Sequence, residues 1–113
     1  MKTKFTLHGK ERMSERVGIS MEQLHGLIIK DLTVPLGVEP GSRRVHRLFY
    51  SIADRMCFVL VQDEKNGEVI TVLPIDYHER VAWKVSIDAQ RWAMNLVLLD
   101  NDDEENLTDA LYH

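Results

Sequence analysis

The residues with chemistry to offer fall in two basic groups and one mixed run. His8, Lys10, Arg12 and Arg16 come first, and Arg43, Arg44, His46 and Arg47 come second. Arginine holds phosphate or carboxylate oxygens in a forked pair of hydrogen bonds, and histidine moves a proton near neutral pH. Arg12 and Arg16 are four residues apart, so a helix puts them on one face. Arginines and a histidine in one cleft can hold phosphates and shift protons while an RNA 2′-hydroxyl attacks its own phosphodiester. That expectation makes His8, Arg12 and Arg16 the catalytic candidates, with Lys10, Arg43, Arg44, His46 and Arg47 as RNA contacts. It requires the first helix to pack over the end of the sheet where the second group starts. The plainer reading of the first group is a solvated, salt-bridged surface, because Glu11 and Glu15 interleave with its arginines.

The mixed run is Tyr77-His78-Glu79-Arg80, just past Leu73-Pro74. Functional groups often sit where a rigid element stops, so Tyr77 and His78 are further site candidates. The same residues are also ordinary for a helix start or a loop. No metal-ligand spacing occurs: the five histidines are scattered and the single cysteine, Cys57, lies inside an apolar run. No phosphate loop and no nucleophile elbow is present, so the chain is expected to use no cofactor.

These groups must be positioned by elements that the sequence marks out. Met56–Val61 is apolar throughout, which fits a strand covered on both faces. Glu68–Leu73 is a second strand, joined to it through Asn66-Gly67, and Arg43–Ile52 is a third, turning at Asp54-Arg55. Met56–Val61 is therefore expected at the centre, antiparallel to both neighbours. Lys4–His8 alternates and reads as a further short strand. Gly9–Arg16 reads as an exposed helix closed by Gly18.

Ser20 and Gln23 form a capping box, with Ile19 and Leu24 as its hydrophobic staple, for a helix ending near Asp31. Gly26 weakens that helix, and a close packing contact would account for it. Thr33–Ser42, with two prolines and two glycines, reads as a loop. Ser86 and Asp88 open a last helix over Ile87–Leu99. The expected fold is α+β, with an antiparallel sheet of about four strands: the N-terminal strand and a three-strand meander. Two N-terminal helices and one C-terminal helix lie on one face of it.

The 113 residues, 44% of them hydrophobic, suit a single domain with its own core. One cysteine cannot form an intrachain bridge, which points to a reducing cytoplasm, and an apolar site makes its thiol inert. No secretory leader and no stretch of roughly 18 apolar residues is evident, so no membrane role is expected. The net charge of −4 hides an asymmetry. Asp100–Asp109 holds six of the 18 acids and no Lys or Arg, leaving 14 basic against 12 acidic residues elsewhere. Residues 1–99 read as one α+β domain and 100–113 as an acidic C-terminal tail, mobile or loosely held.

One pattern goes beyond single residues. His8-x3-Arg12-Met13-x2-Arg16, then Gly18-Ile19-Ser20 and a helix, then Val69-Ile70-Thr71-Val72-Leu73-Pro74, resembles a small uncharacterised bacterial family. Its members carry a His…Arg-Met…Arg-Gly-Ile pattern and are grouped with RelE-like toxins, which share a ribonuclease fold with barnase-type and colicin-type nucleases. The resemblance covers about residues 5–74, and Val17 departs from it by separating Arg16 from Gly18. It implies a small cytoplasmic toxin-like protein, a metal-independent RNA-directed nuclease, with His8, Arg12 and Arg16 at the matching positions. The alternative is a non-catalytic protein-interaction or regulatory module of bacterial or phage origin, held by a cognate protein partner. Neither reading fixes an oligomeric state.

Overall fold

The computed structural model describes residues 3–112, with side chains through residue 100. Four strands form one antiparallel sheet in the order β1 (Val34–Val38), β2 (Arg44–Ser51), β3 (Met56–Asp63) and β4 (Val69–Pro74). The fold is α+β. As expected, β3 is central, pairing Val59 with Leu48 on one side and Leu73 on the other. Its residues Cys57 to Val61 are buried, as two covered faces require.

Three expectations about the elements are corrected. The N-terminal strand is absent: Phe5 makes a single parallel bridge to Val69, and helix α1 (Leu7–Arg16) starts at once. Thr6 decides this by capping the helix, its hydroxyl accepting from the Gly9 N–H at 3.0 Å. The fourth strand is instead β1, inside the expected loop. Pro35 fits because this is an edge strand, and Gly37 (φ 148°) takes up a bulge opposite His46. Third, helices cover both faces of the sheet. Met13 of α1 and Leu24 of α2 (Met21–Ile29) pack on Phe49, Phe58, Leu60 and Val72. Ala93 and Val97 of α4 (Ile87–Tyr112) pack on Leu48, Tyr50 and Val59 across the sheet. Each large side chain buried in these layers contributes about 1.5–3 kcal/mol.

A seven-residue helix, α3 (Ile75–Val81), follows β4 directly. Helix α4 continues past the expected end at Leu99 to Tyr112, because Asp100–Asn106 holds no proline or glycine to stop it. The expected acidic tail over 100–113 falls, beyond Asp100, on side chains outside the described residues. No helix among the described residues is long and apolar enough to cross a membrane.

Two local devices fix the layer holding α1 and α2. The capping box is formed, Ser20 Oγ accepting from Gln23 N–H at 3.1 Å and Gln23 Oε1 from Ser20 N–H at 2.8 Å. Gly18 does not close α1; Val17 is the C-cap, and the Gly18 N–H donates to Asp54 Oδ2 at 2.7 Å. The same carboxylate accepts from the Ser51 hydroxyl at 2.6 Å, so one aspartate ties the β2–β3 turn to the α1–α2 link.

The close contact expected at Gly26 does not exist: a Cβ there would meet nothing within 4 Å. Gly26→Ala is therefore expected to stabilise the protein by about 0.5–1 kcal/mol. Ser20→Ala should cost about 1 kcal/mol through the lost cap. Urea unfolding of both variants beside the wild type reads the two opposite signs, and a neutral Ser20→Ala would remove the cap's role.

Candidate functional site

The short helix α3 is where the sequence-marked groups meet. At 100° per residue, adjacent side chains on it point in different directions. Tyr77 and Arg80 face solvent, while His78 turns inward. Each direction meets one member of one basic group, Arg16 outside and His46 inside.

On the outer side, Tyr77 is 41% exposed, and the guanidinium carbons of Arg16 and Arg80 both lie 5.5 Å from its ring centre. A guanidinium held against an aromatic ring keeps N–H donors free at its edge, where they can fork onto phosphate oxygens. Arg16 is further fixed by an N–H donated to the Val72 carbonyl at 2.9 Å. Helix α1 leads into this patch, with His8, Arg12 and Arg16 at four-residue intervals. His8 is exposed on its first turn. Arg12 is ion-paired with Glu15 at 2.7 Å, so the salt-bridged reading holds for that one residue. Lys10 lies off this line. It borders a cleft of about 480 Å³ with Lys4, Phe5, Met21 and His25.

On the inner side, His46 of β2 and His78 are buried, 2% and 0% exposed. His46 Nδ1 lies 2.9 Å from His78 Nε2, and His46 Nε2 lies 2.9 Å from Glu39 Oε1. Trp83 closes the group, its ring centre 4.5 Å from that of His46 and 5.3 Å from that of His78. The carboxylate can only accept, so His46 keeps a proton on Nε2. In the neutral pair His46 Nδ1 then accepts from His78 Nε2–H. His78 Nδ1 is left bare, and it has no hydrogen-bond partner. Burial holds His78 below the usual histidine range, with neighbouring His46 adding to the effect. The Trp83 backbone and the Glu79 carboxylate oppose it. Thr71, level with His46 across Val61 on the same face of the sheet, carries a second unpartnered buried oxygen.

The single cleft expected for both basic groups does not form. α1 covers one face of the sheet, and His46 is buried on the other, so His8 and His46 do not meet. Arg47 stays on the α1–α2 face, its Nε donating to Gln62 Oε1 at 3.2 Å. Arg43 pairs with Asp63 at 3.5 Å, and Arg44 is exposed at the start of β2. Among the described residues no group of His, Cys, Asp or Glu converges as metal ligands would. Cys57 is core, its thiol pushed up to about 11 by burial.

Sequence reasoning missed Glu39 and Trp83. Neither carries a motif; the β1–β2 turn brings Glu39 back beside β2, and the chain after α3 swings Trp83 over Gly37. Comparisons with family models, with curated proteins and with solved structures return no significant match to this chain.

Proposed function

We propose that the protein is RNA-directed and toxin-like, and that it meets RNA through the Arg16–Tyr77–Arg80 patch. One observation carries the reading: two guanidinium groups from different helices share one exposed aromatic ring at equal distance. Such a pair is pre-organised for phosphate and reads no base, which suits sequence-tolerant backbone contact. His8 and Arg12 extend the same line along α1, so cleavage through the 2′-hydroxyl is assigned to His8 as the proton carrier. His46 and His78 are too buried to touch RNA and are not part of that chemistry.

The test is a fluorescence titration against single-stranded RNA at two salt concentrations, with cleavage followed over hours. Tyr77→Ala with Arg80→Ala should weaken binding about tenfold and lower the salt slope by about 1. His8→Ala with Arg12→Ala should stop cleavage and leave the fold intact. Absence of binding by the wild type at low salt removes the reading.

A second reading, a protein-interaction module, has its own observation. Trp92 (58% exposed) and Leu99 (61% exposed) lie seven residues apart on one face of α4, where the acidic run begins at Asp100. That combination fits a protein segment with apolar side chains flanked by Lys or Arg. A Leu/Lys amphipathic peptide should bind the full chain and lose affinity for Trp92→Glu with Leu99→Glu. Self-association of the protein alone in sedimentation identifies a second copy as the occupant instead.

A further inference from the structure

We propose that the buried His46–His78 pair is an acid-released latch on α3, and that it sets whether the Arg16–Tyr77–Arg80 patch is assembled. The two sites are opposite sides of one seven-residue helix: Tyr77 carries the patch and the next residue, His78, is the bolt. The biological use of the latch rests on the RNA reading, but its operation does not.

Proton counting gives the mechanism. A hydrogen bond between two imidazole nitrogens needs one N–H and one lone pair. The neutral pair meets this, and so does the pair with one added proton, which gives His78 Nδ1 an N–H. A second added proton does not fit: it puts N–H groups on both nitrogens of a 2.9 Å contact and sets two cations side by side. The contact must then open, and His78, fully buried, is solvated only if α3 or the half-exposed Trp83 over it moves; the latch takes α3, which carries His78, as the moving part.

The neighbours relieve one positive charge and not two: the Trp83 backbone and the Glu79 carboxylate favour a charged His78. Glu39 stabilises one positive charge through His46, and Glu79 is the acid closest to His78 on α3 itself. Its carboxylate is engaged at 3.2 Å by the Val85 N–H. The sheet face level with His46 presents Val61 and Thr71, neither of which carries a charge. Arg44, two residues before His46 on the same side of β2, and Lys84, in the link after α3, are both exposed. α4 meets β2 with the apolar Ala93 and Val97.

Elsewhere α3 is held by Ile75 against the core and by the Glu79–Val85 bond. It has no side-chain N-cap bond, and Val81 at its end is exposed. Release of His78 therefore carries Tyr77 and Arg80 away from Arg16. The sign is unusual for RNA contact: adding protons to histidines ordinarily strengthens binding to phosphate, whereas here acid dismantles the arginine pair.

The experiment is an NMR titration of the full chain from pH 8 to pH 5, without RNA, following the His46 and His78 ring protons and the Tyr77 ring. The Tyr77 ring signals should move with the midpoint of the histidine pair. His78→Phe, which keeps an aromatic plug and removes the titration, should leave Tyr77 flat over the whole range. Glu39→Gln, at a half-exposed position, should move the histidine and Tyr77 midpoints together to lower pH, because an anion beside the pair is lost. A Tyr77 signal that stays flat while the histidines titrate overturns the latch. So does a Tyr77 transition unchanged in either variant. No RNA enters, so failure here leaves the RNA reading standing, and absence of RNA binding leaves the latch standing.

Discussion

Gly9→Ala is expected to destabilise the protein by about 2 kcal/mol, although alanine is the better helix former. Gly9 lies in the first turn of α1, buried against β4. A Cβ there would overlap the Val69 carbonyl oxygen and crowd the Thr6 hydroxyl. Neither can retreat: the carbonyl takes the Thr6 N–H at 3.0 Å, and the hydroxyl is the helix cap. Alanine gains about 1 kcal/mol of helix propensity, and forced overpacking costs about 1–3 kcal/mol and occasionally more when the obstacle is backbone. The clash wins because relieving it moves α1 off the sheet and breaks the cap. Urea unfolding gives the number. Gly26→Ala, the same substitution without a neighbour, is the control and should go the other way. Equal effects at the two glycines would mean that α1 does not sit where Gly9 permits.

Acid should weaken the fold through His78. Its folded value is lowered from 6.5 by burial and by His46. As pH falls through the unfolded value the unfolded chain binds the proton first, so stability drops on the acid side. The stability is complete above about pH 6.5 and is lost below it, by up to about 1.4 kcal/mol per pH unit for this one proton. The loss ends at the folded value. Thermal or urea unfolding at half-unit steps from pH 7.5 to 5 measures the slope. His78→Phe should flatten that part of the profile while lowering the neutral-pH stability by about 1–3 kcal/mol, because the buried His46 Nδ1 loses its donor. A profile as steep in His78→Phe as in the wild type would assign the slope to other groups.

What could be read in advance was what neighbouring residues decide among themselves. The capping box at Ser20 and Gln23 is a four-residue statement, and the run from Cys57 to Val61 declares two buried faces without outside help. β1 was hidden because Pro35 and Gly37 break central strands and helices alike, yet both are tolerated on an edge, and edge position is not local information. Thr6 was misread for a related reason: a β-former next to a helix start is a better cap than strand residue, and only the pairing with Val69 shows which role it takes. His46 and His78 were each marked as candidates, but their meeting spans 32 residues and requires the α3 turn after Pro74. The helices on two faces, rather than one, separated the basic groups that had been expected to share a cleft.

The four-stranded sheet ends in two strands with open sides, and each is closed by a different means. Along β4, residues 4–6 and the Arg16 side chain occupy backbone groups of Val69 and Val72 that a foreign strand would need. Along β1 an exposed proline removes one donor, and a bulge at Gly37 spoils the register two residues further on. A sheet blunted on both sides offers no template for another chain to add to, so concentrated solutions of this protein should resist fibril growth as long as α1 stays docked.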